Sequence, residues 1–279
     1  ADGLNVPNGI ALGEFGDLYI AEQHQIVLFG ADGRRKKIVV QPGLLPDLRH
    51  HGWRFMDIGP KGDLYVAVGA PCNICEVSGV EGTILKFDAT TFKPVIQAKG
   101  VRNSVGFDWH PDTGILYFTD NGGDNLGDLI PPDELNISTK AGQHFGYPYE
   151  YDTGQPYPQF KNTKSSEALI PPALRFEAHA AALGIHFYRG QQLPERYRKQ
   201  ALVAQHGSWN RTDPIGYRIM LVTFDETGNP VRNQVFIDGW LRADGEVRGR
   251  PVDIAELPDG SLLISDDYAD AVYRVEFLP

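Results

Sequence analysis

The chain has 279 residues, of which 42% are hydrophobic, so it contains enough apolar material for a large core. Its formal net charge is −10 and it has no block of basic residues, which disfavours nucleic acid and anionic membrane surfaces as partners. No apolar run approaches the ~20 residues that a membrane-spanning helix needs. The 31 glycines and 20 prolines favour many tight turns over long helices, and we expect one domain over residues 1–279.

Strand–turn–strand units recur along the chain. They cover residues 8–22, 55–67, 105–121, 183–205 and 252–265. Four of them are followed by a further apolar strand, at residues 25–29, 83–87, 217–222 and 271–275. A repeat of roughly 40 to 50 residues with about four strands is typical of a β-propeller blade. The sequence therefore predicts an all-β propeller with five blade repeats.

The spacing of the repeats lengthens in the middle of the chain. The extra residues lie at about 122–182, a stretch rich in Pro, Tyr, Gly and Asn with no clear periodicity. Long irregular insertions in compact domains are usually functional, so we expect this one to wall a site on one face of the propeller.

The two cysteines, Cys72 and Cys75, lie three residues apart. Two cysteines alone do not complete a four-ligand structural zinc site. The pair is either a tight disulfide in an oxidising compartment or a redox dithiol, and no thioredoxin-like βαβ pattern surrounds it. We favour the disulfide.

Polar residues are concentrated at the third repeat. Arg102 and Asn103 precede its first strand, and its second strand runs into Asp120, Asn121, Gly122, Gly123 and Asp124. Glycines beside carboxylates and amides let backbone and side-chain oxygens converge, which suits a hard cation such as calcium. The same residues are also ordinary turn formers, and this alternative stays open.

Histidines and arginines occupy equivalent places in several repeats. His51, Arg102 and Arg250 each precede the first strand of a unit, and His206 follows the second strand of the fourth unit. Equivalent positions in successive blades point to one central funnel, so we expect these residues to meet in space. There His51 would serve as a general base and the arginines as anion-binding groups.

Several segments carry a family resemblance. They are HGWRF (51–55), GPKGDLYV (59–66), VGAPCNIC (68–75), RNSVGFDWHP (102–111), TDNG (119–122), PDELN (132–136), QHFGYP (143–148), HGSWNR (206–211) and GRPVD (249–253). Together they resemble the glucose/sorbosone dehydrogenase family, soluble sugar dehydrogenases that bind pyrroloquinoline quinone (PQQ) on a six-bladed propeller. The match is closest to the sorbosone dehydrogenase-like branch and implies a periplasmic or secreted enzyme with PQQ and calcium as cofactors.

The resemblance also implies roles for individual residues. His51 falls at the base that takes the substrate hydroxyl proton, and Arg102 at the arginine that pairs with charge developing on the quinone. The cofactor-binding residues it implies are Asn103, His206, Arg211, Arg248 and Arg250. The metal-binding residues are Gly122 and Gly123, through their carbonyls, with Asp124 beside them.

Two features depart from that family. Glucose-oxidising members have Gly-Pro where this chain has Gly122-Gly123, and a lysine near His206 or Ser208. Five repeats are visible against the family's six, so either a first blade lies outside this sequence or the fold closes with five. The alternatives to the dehydrogenase are a calcium-dependent propeller lactonase or esterase and a non-catalytic binding scaffold. The sequence identifies neither the substrate nor the electron acceptor.

Overall fold

The strands follow the predicted repeats in a computed structural model that describes residues 2–278. The chain forms two compact units. The first comprises the described residues up to Val105 together with Ser138–Pro171, and the second comprises Gly106–Ile137 and the described residues from Pro172 onward. The prediction of a single domain stays a prediction.

The first unit contains two blade sheets. Blade 1 has β1 (Gly9–Leu12), β2 (Leu18–Ala21), β3 (Ile26–Phe29) and β4 (Arg35–Val40), hydrogen-bonded in that order. Blade 2 has β5 (Met56–Ile58), β6 (Leu64–Val68), β7 (Thr83–Phe87) and β8 (Pro94–Lys99), and the short β12 (Gln143–His144) pairs in parallel with β8. A small hairpin, β13 (Glu150–Tyr151) and β14 (Gln155–Pro156), precedes a 3₁₀ turn at Pro158–Phe160.

The second unit contains three blade sheets. Blade 3 has β9 (Phe107–Trp109), β10 (Leu116–Asp120), β11 (Pro132–Ser138) and β15 (Leu174–Ala178). Blade 4 has β16 (Ala182–Phe187), β17 (Ala201–Gln205), β18 (Arg218–Phe224) and β19 (Pro230–Ile237), with a 3₁₀ turn at Glu195–Tyr197. Blade 5 has β20 (Pro251–Glu256), β21 (Leu262–Asp266) and β22 (Ala271–Val275). No helix among residues 2–278 is long and apolar enough to cross a membrane.

The turn between the first two strands of each blade has one conformation throughout the repeats. Two residues before the second strand, Gly16, Gly62, Gly114 and Gly260 have φ of +77°, +82°, +63° and +82°. Only glycine adopts this left-handed region without steric cost, which explains the repeated glycine in the sequence. In blade 4 the position is held by Lys199 at φ +62°. Because lysine replaces the turn glycine, the sequence of the fourth repeat is less similar to those of the other repeats.

Alternation along the strands buries apolar clusters in both units. In β1, Ala11 is buried while Ile10 and Leu12 face outward. In the first unit, one cluster joins residues of blades 1 and 2, including Ile26, Val66 and Phe87, and a smaller one contains Ile20, Val27 and Phe29. The clusters of the second unit contain Tyr117, Phe187 and Val203 in one, and Leu202, Ile219 and Leu262 in the other.

The stretch predicted as an irregular insertion includes strands β11 to β15. β11 was not recognised from the sequence because it buries polar residues where a strand normally buries apolar ones. Asp133, Glu134 and Asn136 are 1%, 6% and 0% exposed. Buried polar side chains need hydrogen-bond partners, so this strand has a role beyond packing.

Glycines allow the inner strands of neighbouring blades in the second unit to approach closely. A Cβ placed on Gly106, just before β9, would overlap the carbonyl of Leu183. A Cβ on Gly184, in β16, would overlap Asp253 of β20 and lie 2.7 Å from its Cα. The obstacle at Gly184 includes backbone, which cannot rotate away. The absence of a side chain there sets the spacing of blades 4 and 5.

We therefore expect Gly184→Ala to lower the free energy of unfolding by about 1–3 kcal/mol, the usual cost of overpacking. Gly13→Ala is the matched control, because its nearest neighbour would be 3.3 Å away and Gly13 is not in the left-handed region. Denaturant unfolding of both variants measures the difference. Equal losses in the two variants would mean that the glycine contact between β16 and β20 carries no special constraint.

Candidate functional site

His51 lies in the loop before β5 and has a positive φ of 46°. Its Nδ1 is 2.9 Å from the carbonyl oxygen of Ala70. Because a carbonyl only accepts hydrogen bonds, Nδ1 carries the hydrogen and Nε2 keeps its lone pair. The ring is therefore held in the tautomer that a proton-accepting base requires.

The environment of His51 keeps its ring neutral. Burial, followed by the positive charges of Arg102 and His50, lowers the pKa of His51 to about 3, against the opposing effect of the Ala70 bond. The His50 ring lies 4.1 Å from that of His51. The ring is therefore uncharged throughout the neutral pH range.

Two features outside the predicted set position His51. A Cβ on Gly69 would overlap the Cβ of His51 and lie 3.1 Å from Oδ1 of Asn103, so glycine is needed where these residues come together. Arg54 is 2% exposed and donates to three carbonyls, those of Gln23 (3.1 Å), His51 (3.0 Å) and Pro46 (2.6 Å). Burial lowers the pKa of Arg54 to about 10, which leaves it a cation. Arg54 fixes the backbone from which His51 projects.

Arg102 is held by the loop that the two cysteines close. Cys72 and Cys75 form a disulfide, as expected. Arg102, 3% exposed, donates from Nε to the carbonyl of Asn73 and from Nη2 to its side-chain oxygen, both at 2.9 Å. The N–H of Cys75 donates to the hydroxyl of Tyr147 at 3.0 Å. The disulfide loop therefore orients the guanidinium of Arg102, a role that the spacing of the cysteines does not reveal.

We expect Arg102→Gln to raise the pKa of His51 above about 3, because the variant removes a positive charge that disfavours the imidazolium. Arg102→Lys is the control, since it keeps the charge while losing the two-pronged contact with Asn73. Titration of the His51 ring protons by NMR measures the shift. An unchanged pKa in the Gln variant would show that Arg102 does not influence His51.

In the second unit, Asp133 organises the predicted metal-binding loop. It is 1% exposed and accepts the N–H of Gly122 at 3.0 Å and that of Ala182 at 3.3 Å. Burial raises the pKa of Asp133 to about 6, against the hydrogen bonds from Gly122, Ala182 and Ala181. A Cβ on Gly122 would lie 2.8 Å from the carbonyl oxygen of Pro132. Gly122 is thus tied to β11 by a hydrogen bond and by close approach.

Asp124 pairs with a residue that the sequence-based set omits. Nδ2 of Asn210 donates to Oδ1 of Asp124 at 3.2 Å. Oδ1 of Asn210 is buried, and within residues 2–278 it accepts no hydrogen bond. Calcium prefers oxygen ligands. The buried amide oxygen of Asn210 and the carboxylate of Asp124, two residues after Gly122, are both of this kind.

Side-chain chelation alone does not describe this site. Within residues 2–278, no three or more His, Cys, Asp or Glu side chains are grouped so as to hold a metal ion. A cation at the Gly122 loop would need backbone carbonyls and amide oxygens in addition to Asp124.

Arg250, just before β20, is held by residues of the segment that joins β17 to β18. Its Nη1 donates to the carbonyl of Gly207 and its Nη2 to the hydroxyl of Tyr217, both at 3.2 Å. The guanidinium also lies 4.9 Å from the centre of the Tyr217 ring. The backbone N–H of Arg250 donates to Asp266 at 2.9 Å, so both its main chain and its side chain are held.

His206 and Arg211 are also anchored. Nε2 of His206 donates to Oδ1 of Asp267 at 2.8 Å, and its backbone N–H donates to the carbonyl of Ala181 at 2.9 Å. Arg211 donates from Nη1 to the carbonyl of Ala178 at 3.0 Å, while its buried Nε has no acceptor within residues 2–278. A buried donor without an acceptor is consistent with a ligand contact at Arg211.

Arg248 differs from these residues. Its side chain is 56% exposed and lies 3.6 Å from the Glu246 carboxylate. Among the predicted residues, His51, Arg102 and Asn103 belong to the first unit, and Gly122, Gly123, Asp124, His206, Arg211, Arg248 and Arg250 belong to the second. The expectation that the two sets meet in space stays a prediction.

Comparison with known proteins places the chain among related sequences. Residues 132–276, a little over half of the chain, match the sequence profile of a family described as TrAA12-like. An uncharacterized protein of Borreliella burgdorferi is 42% identical over 230 residues, which is 81% of this chain and 61% of that protein. The chain therefore spans less than two thirds of the length of this relative.

Solved structures show the same fold. The calcium structure of a Carbohydrate-Active Enzymes Family AA12 protein of Trichoderma reesei has a TM-score of 0.77 at 20% identity, covering 95% of this chain and 79% of that one. The holo form of the pyranose dehydrogenase PQQ domain from Coprinopsis cinerea has a TM-score of 0.76 at 18% identity, covering 99% and 94%. These likenesses confirm the predicted all-β propeller, of which residues 2–278 show five blades.

Proposed function

Because the chain belongs to the TrAA12-like family, we propose that it is a PQQ- and calcium-dependent dehydrogenase that oxidises a sugar or a related alcohol or aldehyde. The structural relatives support this proposal, since one is a holo pyranose dehydrogenase PQQ domain and another a calcium structure of an AA12 enzyme. We further propose an aldose or sorbosone-like substrate and a periplasmic or secreted location. The Cys72–Cys75 disulfide supports that location, since disulfides persist in oxidising compartments.

The observation that carries the proposal is the state of His51. Its Nδ1 donates to the carbonyl of Ala70, which leaves the lone pair of the ring on Nε2. Oxidation of an alcohol removes a hydride from carbon and a proton from oxygen. His51 would take that proton on Nε2 while the Ala70 bond holds the ring in place.

The residues present fit the proposed cofactors. PQQ is a tricarboxylate, and in the second unit Arg211 and Arg250 offer fixed guanidinium groups in an otherwise acidic protein. The carbonyls of Gly122 and Gly123, with Asp124 and Asn210, would hold calcium. Bound PQQ would accept the hydride, and calcium would polarise the quinone.

The test begins by removing metal with a chelator and adding PQQ with calcium, with magnesium, or without metal. We expect calcium-dependent binding, followed by absorbance, and reduction of an artificial electron acceptor when aldoses are supplied. Magnesium is the control because it requires a tighter octahedral site. If a folded sample binds no PQQ under any condition, the proposal is wrong, and hydrolysis of lactones becomes the next assay.

A further inference from the structure

A cleft lies in the first unit, and its walls include none of the residues discussed above as candidates for PQQ or calcium. It is an open cleft of about 340 Å³ beside the disulfide loop. Its walls include Glu76, Glu81, Lys99, His144, Tyr149 and Glu167. A cleft of this size lies within the range of small-molecule sites.

Three polar groups of this cleft, those of Lys99, Glu167 and His144, are held by contacts. Lys99 lies 2.6 Å from the carboxylate of Glu167. Nδ1 of His144 accepts the N–H of Gly146 at 3.1 Å, so its Nε2 carries a hydrogen and is a donor. Gly100, at φ +67°, leaves room for the His144 ring, which a Cβ at that position would overlap.

One wall of the cleft is aromatic. The ring of Tyr149 packs edge-on against Phe160, with centres 5.7 Å apart, and lies 6.0 Å from the His144 ring. These contacts fix the orientation of the ring, and Tyr149 remains partly exposed. A fixed, partly exposed aromatic ring is a suitable surface for packing against the C–H groups on one face of a saturated ring.

The charges on the walls select among ligand classes. Three carboxylates face one ammonium group, and burial lowers the pKa of His144, which favours its neutral form. An anion would meet the carboxylates at close range, which is unfavourable. A polyamine would satisfy the carboxylates but would offer no acceptor to the Nε2 hydrogen of His144. Hydroxyl groups both donate and accept, so a polyhydroxylated ring satisfies both kinds of wall group.

We infer that this cleft binds a neutral saccharide unit, with Glu76 and Glu81 accepting from its hydroxyl groups, Lys99 and His144 donating to them, and Tyr149 packing against its ring. The cleft shares no lining residue with the proposed dehydrogenase site. Its occupancy requires neither PQQ nor calcium, so it is testable in protein that lacks both.

The test uses metal-stripped, PQQ-free protein labelled with ¹⁵N and titrated with glucose, cellobiose and maltose, and separately with spermidine and citrate. We expect at least one of the saccharides to shift the amide signals of residues 76–83 and 143–149. The double variant Glu76→Gln with Glu81→Gln should bind it about tenfold more weakly, the effect of losing hydrogen bonds to charged groups. Glu14→Gln, in the exposed turn between β1 and β2, is the matched control and should bind normally.

Three results overturn the inference. One is that no saccharide shifts these signals at the highest soluble concentration. Another is that the double variant binds as well as the control. The third is that spermidine or citrate shifts these signals and the saccharides do not, which would make the cleft an ion site. Because PQQ is absent from every sample, none of these results depends on the proposed dehydrogenase.

Discussion

His51→Asn is expected to lower kcat by about 10²–10⁴-fold, the range for loss of a general base, while PQQ binding changes little. Asparagine retains an N–H that can donate to Ala70 but has no basic nitrogen corresponding to Nε2. Steady-state kinetics with an artificial electron acceptor measures the loss. Titration of PQQ absorbance measures binding in the same samples.

The neighbouring histidine provides the control for this variant. His50 is exposed, and its ring lies 4.1 Å from that of His51. His50→Asn should keep most of the activity, because nothing in its surroundings fixes its ring as an acceptor. If His51→Asn turns over like wild type, or if the two variants lose activity equally, His51 is not the base.

The same histidine predicts a pH dependence of stability. The pKa of His51 is about 3 in the folded protein and about 6.5 when exposed in the unfolded chain. Between these values the unfolded state binds more protons, so stability rises with pH. The contribution of His51 is complete above about pH 6.5 and is lost as the pH falls toward 3. Unfolding of His51→Asn should therefore be less sensitive to acid than that of wild type, and an identical acid slope would contradict the assignment.

Asp133→Ala is expected to lower the free energy of unfolding by about 3–5 kcal/mol, because it leaves buried N–H groups without acceptors. Those groups belong to Gly122, Ala181 and Ala182. Because Gly122 is released, calcium affinity should also fall, by about tenfold or more. Denaturant unfolding measures the loss of stability, and calorimetric titration of the folded variant with calcium measures the loss of affinity.

Asp213→Asn is the matched control for this experiment. Asp213 is an exposed aspartate of the second unit, and its replacement should change stability by less than about 0.5 kcal/mol. A loss below 1 kcal/mol in Asp133→Ala would show that solvent or neighbouring groups replace the carboxylate. Normal calcium affinity in a destabilised variant would separate the fold role of Asp133 from any role at the metal loop.

Local sequence patterns were sufficient for the repeated parts of the fold. Gly16, Gly62, Gly114 and Gly260 marked the turns because a left-handed backbone leaves almost no other choice. The strands around them followed because alternating apolar residues can bury one face of a sheet. β11 escaped detection because its buried residues are polar, and their burial is stabilised by partners distant in sequence.

The residues of the candidate site likewise fall into those predicted from the sequence and those found only in the structure. His51, Arg102 and the loop at Gly122 were predicted as site residues from residue type and position, together with the family resemblance. Asn73, Arg54 and Asp133 were not assigned roles, because their importance lies in which atoms they contact. Asn210 was likewise missed, since a single amide in a loop carries no periodic signal.

The sequence by itself determined the all-β class and the five blade repeats. These features depend on local backbone preference and on patterns of apolar residues, which neighbours along the chain specify. Only the tertiary structure decided the tautomer of His51, the hydrogen bonds between the disulfide loop and Arg102, and the hydrogen bond between Gly122 and Asp133. Those depend on burial and on hydrogen bonds between segments far apart in sequence, and no local pattern encodes such distances.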